Sequence, residues 1–177
     1  SRVDGAAMTR PFRRGFFSPV GLVAGEPVPA AQVSPAGLRE RVSALLDPGS
    51  PFLELCQLAG EGLHGDITPG AGIVAGVGMV SGRPCMVIAN DAAVHDGTYN
   101  AITSKKHVRA LRFAWMHRLP CLTMVQSGGR QVLGKVGGQP AVFADDGQFG
   151  SILYNQLRMS REGIAQIASV HGPAADS

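Results

Sequence analysis

Residues 72–90 read GIVAGVGMVSGRPCMVIAN, two apolar runs separated by a Ser-Gly pair. Runs of this length, rich in valine and isoleucine and joined by two turn residues, predict a β-hairpin with strands at 72–80 and 84–90. Glycines recur along the first strand at positions 72, 76 and 78. They leave one face of that strand almost without side chains, so we expect another part of the backbone to approach it closely.

The chain around the hairpin alternates between helical and strand patterns. Val108, Leu111 and Trp115 recur at i, i+3 and i+7, which predicts a helix with one apolar face. The full set of further predictions is a short helix at 38–46, a helix at 98–117, a strand at 121–125, a helix at 149–161 and a strand at 164–170. The short helix is followed by Asp47-Pro48-Gly49, a strong turn signal.

This order of elements predicts an α/β fold. Strand, helix, strand, helix and strand in succession imply right-handed β-α-β crossovers and a sheet covered on both faces. Ligands of such sheets bind beyond the carboxyl ends of the strands. We therefore expect the turns at 91–98, 126–130 and 171–177 to converge on one site.

Length and composition bound the domain organisation. The chain has 177 residues, 45% of them hydrophobic and only 16% charged, and it contains 24 glycines. That length suits one domain with a sizeable core. Residues 1–37 are rich in Gly, Pro, Ala and Ser and lack sustained periodicity, which predicts a flexible or surface-wrapping arm before a domain at 38–177.

Several classes of function are disfavoured by the sequence. A formal charge of +3, without a dense basic stripe interleaved with aromatics, argues against nucleic acid. No apolar run reaches the roughly 18–20 residues that span a bilayer, and no secretory signal is recognisable. Cys56, Cys85 and Cys121 are scattered, and the five histidines share no metal-ligand spacing. We expect a cytoplasmic protein with reduced thiols, no metal and no membrane partner.

Five blocks of the sequence resemble the β subunits of biotin-dependent acyl-CoA carboxylases, above all the methylcrotonoyl-CoA and propionyl-CoA carboxylases. They span roughly residues 38–172, in the same order and with similar spacing. The blocks are LLDPGSPFLEL (45–55), AGIVAGVGMVSGRP (71–84), VIANDAAVHDGTYNAITSKKHVRA (87–110), RLPCLTMVQSGG (118–129) and FGSILYNQLRMSREGIAQIASVHG (149–172). Five blocks in register are far more specific than one short motif.

The resemblance implies a crotonase-like (ClpP/crotonase) fold, in which ββα units wind into a spiral. The chain then corresponds to an incomplete N-terminal carboxyltransferase domain, the part that binds acyl-CoA. In the family, the C-domain of another subunit brings carboxybiotin, whose carboxyl group is transferred to an acyl-CoA enolate. No lysine flanked by methionines is present, so biotin would arrive on a partner. The implied partners are a complementary C-domain chain and a biotin carboxylase or carrier subunit, in a homo- or hetero-oligomer.

Enolate stabilisation needs preorganised donors, which backbone N–H groups in tight turns supply. By resemblance, the candidates for this oxyanion role are Gly97, Gly172, Ala174 and Ala175. Relatives carry two adjacent glycines in each turn, whereas this chain has Asp96-Gly97 in the first and Asp176-Ser177 in the second. A carboxylate in either turn would repel the negative charge of an enolate. An alternative role for Asp96 is to cap the helix that follows. The released biotin anion serves the family as base, so no protein carboxylate is nominated.

The resemblance also nominates residues for binding CoA. These are Asn90, Thr98, Lys105, Lys106, Arg109, Ser127, Gly128, Gly129 and Arg130. The basic residues among them are placed to pair with the phosphates of CoA, and the alternative is an ordinary solvated helix face or loop. His95 and His171 replace apolar family residues in the two turns, and an acid–base pair between them is a further hypothesis.

Three functions therefore remain open on sequence grounds. The first is the acyl-CoA-binding component of a carboxyltransferase, which needs a complementary chain for turnover. The second is a diverged crotonase-fold decarboxylase or hydrolase that uses the substituted residues in new roles. The third is a non-catalytic scaffold subunit of a carboxylase complex. The retained Ser127-Gly128-Gly129 loop and the basic helix favour the first.

Overall fold

A computed structural model describes residues 22–24, 35–62, 69–127 and 148–174. The strands are β1 (Leu22–Ala24), β2 (Leu53–Glu54), β3 (Ile73–Val80), β4 (Arg83–Asn90), β5 (Cys121–Ser127) and β6 (Gln166–Ala174). The helices are α1 (Pro35–Leu45), α2 (Ala101–Met116) and α3 (Phe149–Arg161). The strands form one sheet in the order β1-β6-β5-β4-β3-β2. The predicted α/β fold is confirmed.

The sheet is antiparallel at one side and parallel at the other. β3 pairs with β2 and β4 in antiparallel fashion, whereas β4, β5, β6 and β1 run parallel. The parallel pairs require crossovers, which α2 and α3 supply between β4 and β5 and between β5 and β6. The predicted succession of strands and helices is therefore correct.

The hairpin between β3 and β4 closes through Ser81 and Gly82, whose φ angles are 51° and 73°. Two consecutive positive φ angles match the twist of a two-residue hairpin. The carboxylate of Asp47 accepts hydrogen bonds from both turn amides, at 2.7 Å each. The Asp47 amide in turn donates to the carbonyl of Met79 at 2.8 Å. Asp47 thus fastens the end of α1 to the hairpin.

The glycines of β3 make room for the chain that crosses them. A Cβ atom at Gly76 would lie 2.5 Å from the Phe52 ring and 2.6 Å from the Leu53 carbonyl oxygen. At Gly78 it would lie 2.5 Å from the Leu46 side chain. All three distances are far below van der Waals contact. The predicted close approach to this face is confirmed.

Two hydrophobic clusters cover the two faces of the sheet. On one face α2 and α3 pack over Met86 and Ile88, with Leu111 and Met159 fully buried between them. On the other face α1 packs Leu38 and Val42 over a second cluster centred on β4. The expectation of a sheet covered on both sides is correct for the described residues.

Two differences from the sequence predictions concern the ends of the chain. Within the expected arm at 1–37, residues 22–24 form strand β1 on β6, and α1 begins at Pro35; the other residues of 1–34 lie outside the described part. β6 runs on to Ala174, four residues beyond its predicted end, because it stays paired with β5 as far as Ser127. Gly172 and Ala174 therefore lie in a strand, and their prediction as turn residues was wrong.

Candidate functional site

Three parallel strands end at the same edge of the sheet. β4 ends at Asn90, β5 at Ser127 and β6 at Ala174, and the last two are register partners. The turn that follows β4 packs against β5. The structure thus brings together Asn90, the turn 91–98 and the start of the Ser-Gly-Gly segment. Gly128, Gly129, Arg130 and Ala175 lie outside the described residues.

The turn after β4 contains a short left-handed segment. His95, Asp96 and Gly97 have φ angles of 48°, 54° and 72°. Glycine adopts this conformation freely, whereas other residues do so at a cost of about 1 kcal/mol or more. The carboxylase β subunits that this sequence resembles carry glycine at both positions 96 and 97. The substitution by Asp96 therefore places a side chain where the backbone itself favours glycine.

Hydrogen bonds already engage the amides of this turn. Gly97 donates its N–H to the Val94 carbonyl at 2.9 Å, and Thr98 donates to the His95 carbonyl at 2.9 Å. An oxyanion would have to displace the first bond to reach the Gly97 amide. The structure thus gives Gly97 a different hydrogen bond from the one that the resemblance implies.

Helix α2 begins at a side-chain cap immediately after the turn. The Asn100 carboxamide oxygen accepts a hydrogen bond from the Thr103 amide at 3.0 Å and from its hydroxyl at 2.9 Å. Asn100 is therefore the N-cap of α2. Asp96 lies outside the helix and does not occupy that position. The cap fixes where α2 starts relative to the edge of the sheet.

The three basic residues of α2 that were predicted to bind CoA separate into two groups. Lys105 and Arg109 are exposed one helical turn apart. Lys106 is only 4% exposed, and its ammonium donates to the carbonyls of Gly70 at 2.9 Å and Ile73 at 2.7 Å. Burial lowers the pKa of Lys106, an effect that the nearby Glu54 opposes. Lys106 thus braces the backbone before β3, and in this structure it does not lie with the exposed pair.

Two polar residues that were not predicted as site residues, Tyr99 and His107, are in contact at the start of α2. The Tyr99 hydroxyl lies 2.8 Å from Nδ1 of His107, which is 3% exposed. Burial lowers the pKa of His107 to about 4, so the imidazole is neutral at physiological pH. Burial also raises the pKa of Tyr99 to about 12, opposed by a side-chain hydrogen bond with Asn90. A signal existed, because His107 stands four residues before Leu111 on the apolar face.

The two histidines proposed as an acid–base pair lie in different surroundings. His95 is exposed in the turn before α2. His171 accepts from or donates to the Ser169 hydroxyl at 2.9 Å, and burial together with Arg41 lowers its pKa. It lines a groove of about 380 Å³ under α1, with Leu122 and Ile167. The pair remains a hypothesis that no contact among the described residues supports.

Two further features, a metal-binding cluster and a membrane-spanning helix, are absent from the part of the chain that the structure describes. No group of three or more His, Cys, Asp or Glu side chains there is arranged to hold a metal ion. None of the helices described is long and apolar enough to cross a membrane.

Comparisons with known proteins identify the family of the chain. A sequence model of the carboxyl transferase domain matches residues 36–176. The biotin-dependent 3-methylcrotonyl-coenzyme A carboxylase beta1 subunit of Mycobacterium tuberculosis is 54% identical over 134 residues, which are 76% of this chain and 25% of that protein. The chain therefore spans about a quarter of the length of such relatives.

Two solved structures share the fold. The geranyl-CoA carboxylase beta subunit of P. aeruginosa has a TM-score of 0.60 at 37% identity, covering 74% of this chain and 23% of the other. Transcarboxylase 12S, crystallised with methylmalonyl-coenzyme A and methylmalonic acid bound, has a TM-score of 0.61 at 30% identity, covering 77% and 26%. The predicted resemblance and the crotonase-like fold of carboxyltransferase β subunits are thereby confirmed.

Proposed function

The chain belongs to the carboxyl transferase domain family, and on that premise we propose that it is the acyl-CoA-binding component of a biotin-dependent acyl-CoA carboxyltransferase. The observation that carries the proposal is the edge where β4, β5 and β6 end together, with the turn after β4 packed against β5. The helix that follows this turn carries the exposed cations Lys105 and Arg109. Ligands of parallel sheets bind at such edges. The crotonase-like fold alone is compatible with other chemistry, so the proposed reaction class rests on the family match.

The proposed reaction replaces a hydrogen on the carbon next to the thioester carbonyl by a carboxyl group. Carboxybiotin carried by a partner would supply the CO₂ and the base that accepts the α-proton of acyl-CoA. The enolate then attacks the CO₂ to form the new carbon–carbon bond. This chain's part is to bind and orient the thioester and to stabilise the negative charge that develops on its oxygen.

Among the candidate CoA-binding residues, Lys105 and Arg109 are favoured most, because both side chains are exposed to solvent. Their charges lie one turn apart on α2, Lys105 in its second turn and Arg109 near its middle, so that one phosphate could contact both. Thr98 and Ser127 flank the same edge and remain candidates for contacts with the pantetheine arm. Gly128, Gly129 and Arg130 are proposed on the resemblance alone.

The activity requires partners in this proposal. A carboxyltransferase C-domain chain and a biotin carboxylase or carrier subunit would supply carboxybiotin, in a homo- or hetero-oligomer. Relatives of the chain are beta subunits of biotin-dependent carboxylases, and transcarboxylase 12S is a hexamer. The thiols of Cys56, Cys85 and Cys121 are free, in line with a cytoplasmic location, which we include in the proposal. The similarities do not favour a decarboxylase, a hydrolase or a scaffold.

Calorimetric titration of the purified chain with CoA, acetyl-CoA, propionyl-CoA and methylcrotonoyl-CoA tests the proposal. We expect saturable micromolar binding that the double variant Lys105→Met/Arg109→Met weakens by roughly tenfold at low salt, since two exposed phosphate contacts contribute about 1 kcal/mol or less each. Arg161→Met removes one charge from the exposed end of α3 and serves as the control without an effect. A folded chain that binds none of these ligands contradicts the proposal.

A further inference from the structure

A groove lies between α1 and the part of the sheet formed by β5 and β6. Its volume is about 380 Å³, within the range of roughly 300–1,000 Å³ that small-molecule sites occupy. Most of its wall is apolar, and the apolar strand residues that line it are Leu122, Met124 and Ile167. Ile167 is 49% exposed, although its strand has a neighbour on each side. This part of the sheet therefore presents apolar surface that the described residues leave open.

The strands give the groove an apolar end and a polar end. Leu122 of β5 is the register partner of Ile167 of β6, so the two strands together form the apolar end. Ser169 and His171 follow on the same side of β6, because side chains alternate along a strand. They lie about 7 Å and about 13 Å further along, toward the end of β6. Polarity thus increases toward the edge of the sheet at which the parallel strands end.

Helix α1 runs against these strands. Its end is tied by Asp47 to the hairpin tip, from which β4 starts, and β4 is parallel to β5. The start of α1 therefore lies toward the ends of the parallel strands. Arg41 precedes Leu45 by about one turn, and both line the groove. We infer that Arg41 lies at the polar end, beside His171, and that Leu45 lies at the apolar end.

Arg41 brings a positive charge to this end of the groove. The residue is half-buried, and its Nε atom is buried without a hydrogen-bond partner among the described residues. None of the described residues that line the groove is acidic. Ser169 and His171 bond to each other at 2.9 Å and supply no negative charge. A partly desolvated charge without a counter-charge is unfavourable, and a carboxylate pairs with a guanidinium through two parallel hydrogen bonds.

We propose that the groove under α1 binds a small carboxylate that carries an aliphatic chain. The carboxylate pairs with the guanidinium of Arg41, and the chain lies between Leu45 and the apolar strand residues. Such a ligand removes apolar surface from water and supplies the missing negative charge. The groove lies on the face of the sheet opposite to α2 and α3, so the site is separate from the exposed cations of α2. The inference is independent of the proposed function.

A series of ligands tests the proposal on the unaltered chain. Titrations followed by ¹⁵N–¹H NMR compare octanoate, below its micelle-forming concentration, with octan-1-ol, octylamine and acetate. We expect octanoate to bind saturably and about tenfold more tightly than octan-1-ol, since a charge-assisted hydrogen bond is stronger than a neutral one. Acetate lacks the chain and binds at least as weakly as the alcohol, and octylamine does not bind. Equal affinities for octanoate and octan-1-ol overturn the proposal.

The residues whose amide signals respond locate the ligand. Octanoate should shift signals of residues 41–45, 122–124 and 167–171, which include the groove lining. Shifts confined to other residues overturn the proposal.

Variants of two arginines on α1 separate the groove from general attraction between charges. Arg41→Met should weaken octanoate binding about tenfold and leave the binding of octan-1-ol unchanged. Arg39→Met is the matched control, because Arg39 pairs with Glu54 at 3.5 Å and does not line the groove. Its octanoate affinity should equal that of the wild type. Circular dichroism verifies that both variants are folded. Wild-type affinity in a folded Arg41→Met variant contradicts the proposed contact.

Two further measurements distinguish this ligand from other occupants of the groove. Dilution of the chain without ligand should leave the same amide signals in place. Concentration-dependent shifts together with a dimer in sedimentation would mean that a second copy covers the groove, which overturns the proposal. Excess CoA should leave the octanoate affinity unchanged, whereas competition would assign the groove to the thioester site. A chain that binds octanoate but no acyl-CoA refutes the proposed function alone, so the two failures are distinguishable.

Discussion

Both the outer and the inner face of α2 carry basic residues, but these residues have different environments on the two faces. Lys105 and Arg109 stand exposed on the outer face, where their charges remain in solvent. Lys106, the next residue after Lys105, lies on the inner face with its ammonium held by two backbone carbonyls. His107 beside it is buried and neutral. Residue type alone does not separate exposed cations from buried structural ones, whereas position in the helical period does.

The helical period by itself assigns each lysine to its face. Lys106 lies three residues after Thr103 and four before Ala110, both of them buried. Lys105 lies four residues before Arg109, and both are exposed. Neighbours at these spacings share a side of the helix. The prediction that Lys105, Lys106 and Arg109 share one phosphate site did not take this helical periodicity into account.

The largest effect that tests the comparison is expected from Lys106→Met. It keeps the length of the side chain but leaves the carbonyls of Gly70 and Ile73 without their donor. We expect a loss of about 4 kcal/mol in the free energy of unfolding, from two buried acceptors at roughly 1–3 kcal/mol each. Urea denaturation measures it.

The matched control is the neighbouring exposed residue. Lys105→Met should change the free energy of unfolding by less than about 0.5 kcal/mol, as substitutions at open surface sites do. If Lys105→Met and Lys106→Met lowered the free energy of unfolding equally, the two faces of α2 would not differ in their structural role.

The second effect concerns pH and the inner face. His107 has its pKa lowered to about 4 by burial, against an ordinary value of 6.5 in the unfolded chain. Its neutral form therefore contributes stability that is fully present above pH 6.5 and is lost as the pH falls through about 4. The loss should reach about 3 kcal/mol, at 1.36 kcal/mol per pH unit.

Comparing pH profiles of unfolding isolates this contribution from other titrating groups. The difference in unfolding free energy between the wild type and His107→Gln should change most steeply between pH 6.5 and 4. Parallel curves for the wild type and His107→Gln would mean that the imidazole is not buried in its neutral form.

The smallest effect extends the comparison to the exposed turn that precedes α2. Asp96 adopts a φ of 54°, which glycine reaches without steric cost. We expect Asp96→Gly to raise the free energy of unfolding by about 0.5 kcal/mol, since aspartate tolerates this conformation better than most residues and glycine loses more chain entropy. Thermal unfolding detects the change, and Asp96→Ala, which keeps the Cβ atom, should give no gain.

Much of the fold was predictable because local signals and global packing agree. The Ser-Gly hairpin, the helix over 149–161 and the glycine face of the first strand were all visible in the sequence. Strand β1 was not, since three residues within a Gly- and Pro-rich stretch gain their structure only from pairing with β6. The end of β6 was misjudged for the same reason, because its last residues are held by β5.

The site was less predictable than the fold. The positions of the strand ends follow from the topology, so Asn90 and the turn 91–98 were expected correctly at one edge. Which donors are free is decided by hydrogen bonds within the turn and by burial, and neither appears in a residue pattern. The Tyr99–His107 contact joins residues eight apart, across the start of a helix that only the Asn100 cap defines.

The carboxylate of Asp47 bonds across 34 and 35 residues to the amides of the hairpin tip. The tip is exposed to solvent and would by itself be among the first parts to open. Anchored in this way, it opens only when the end of α1 detaches as well. The end of α1 and the hairpin therefore open together, as one cooperative unit of local unfolding. The antiparallel side of the sheet is thus protected against opening by Asp47, which lies 34 residues before the hairpin tip.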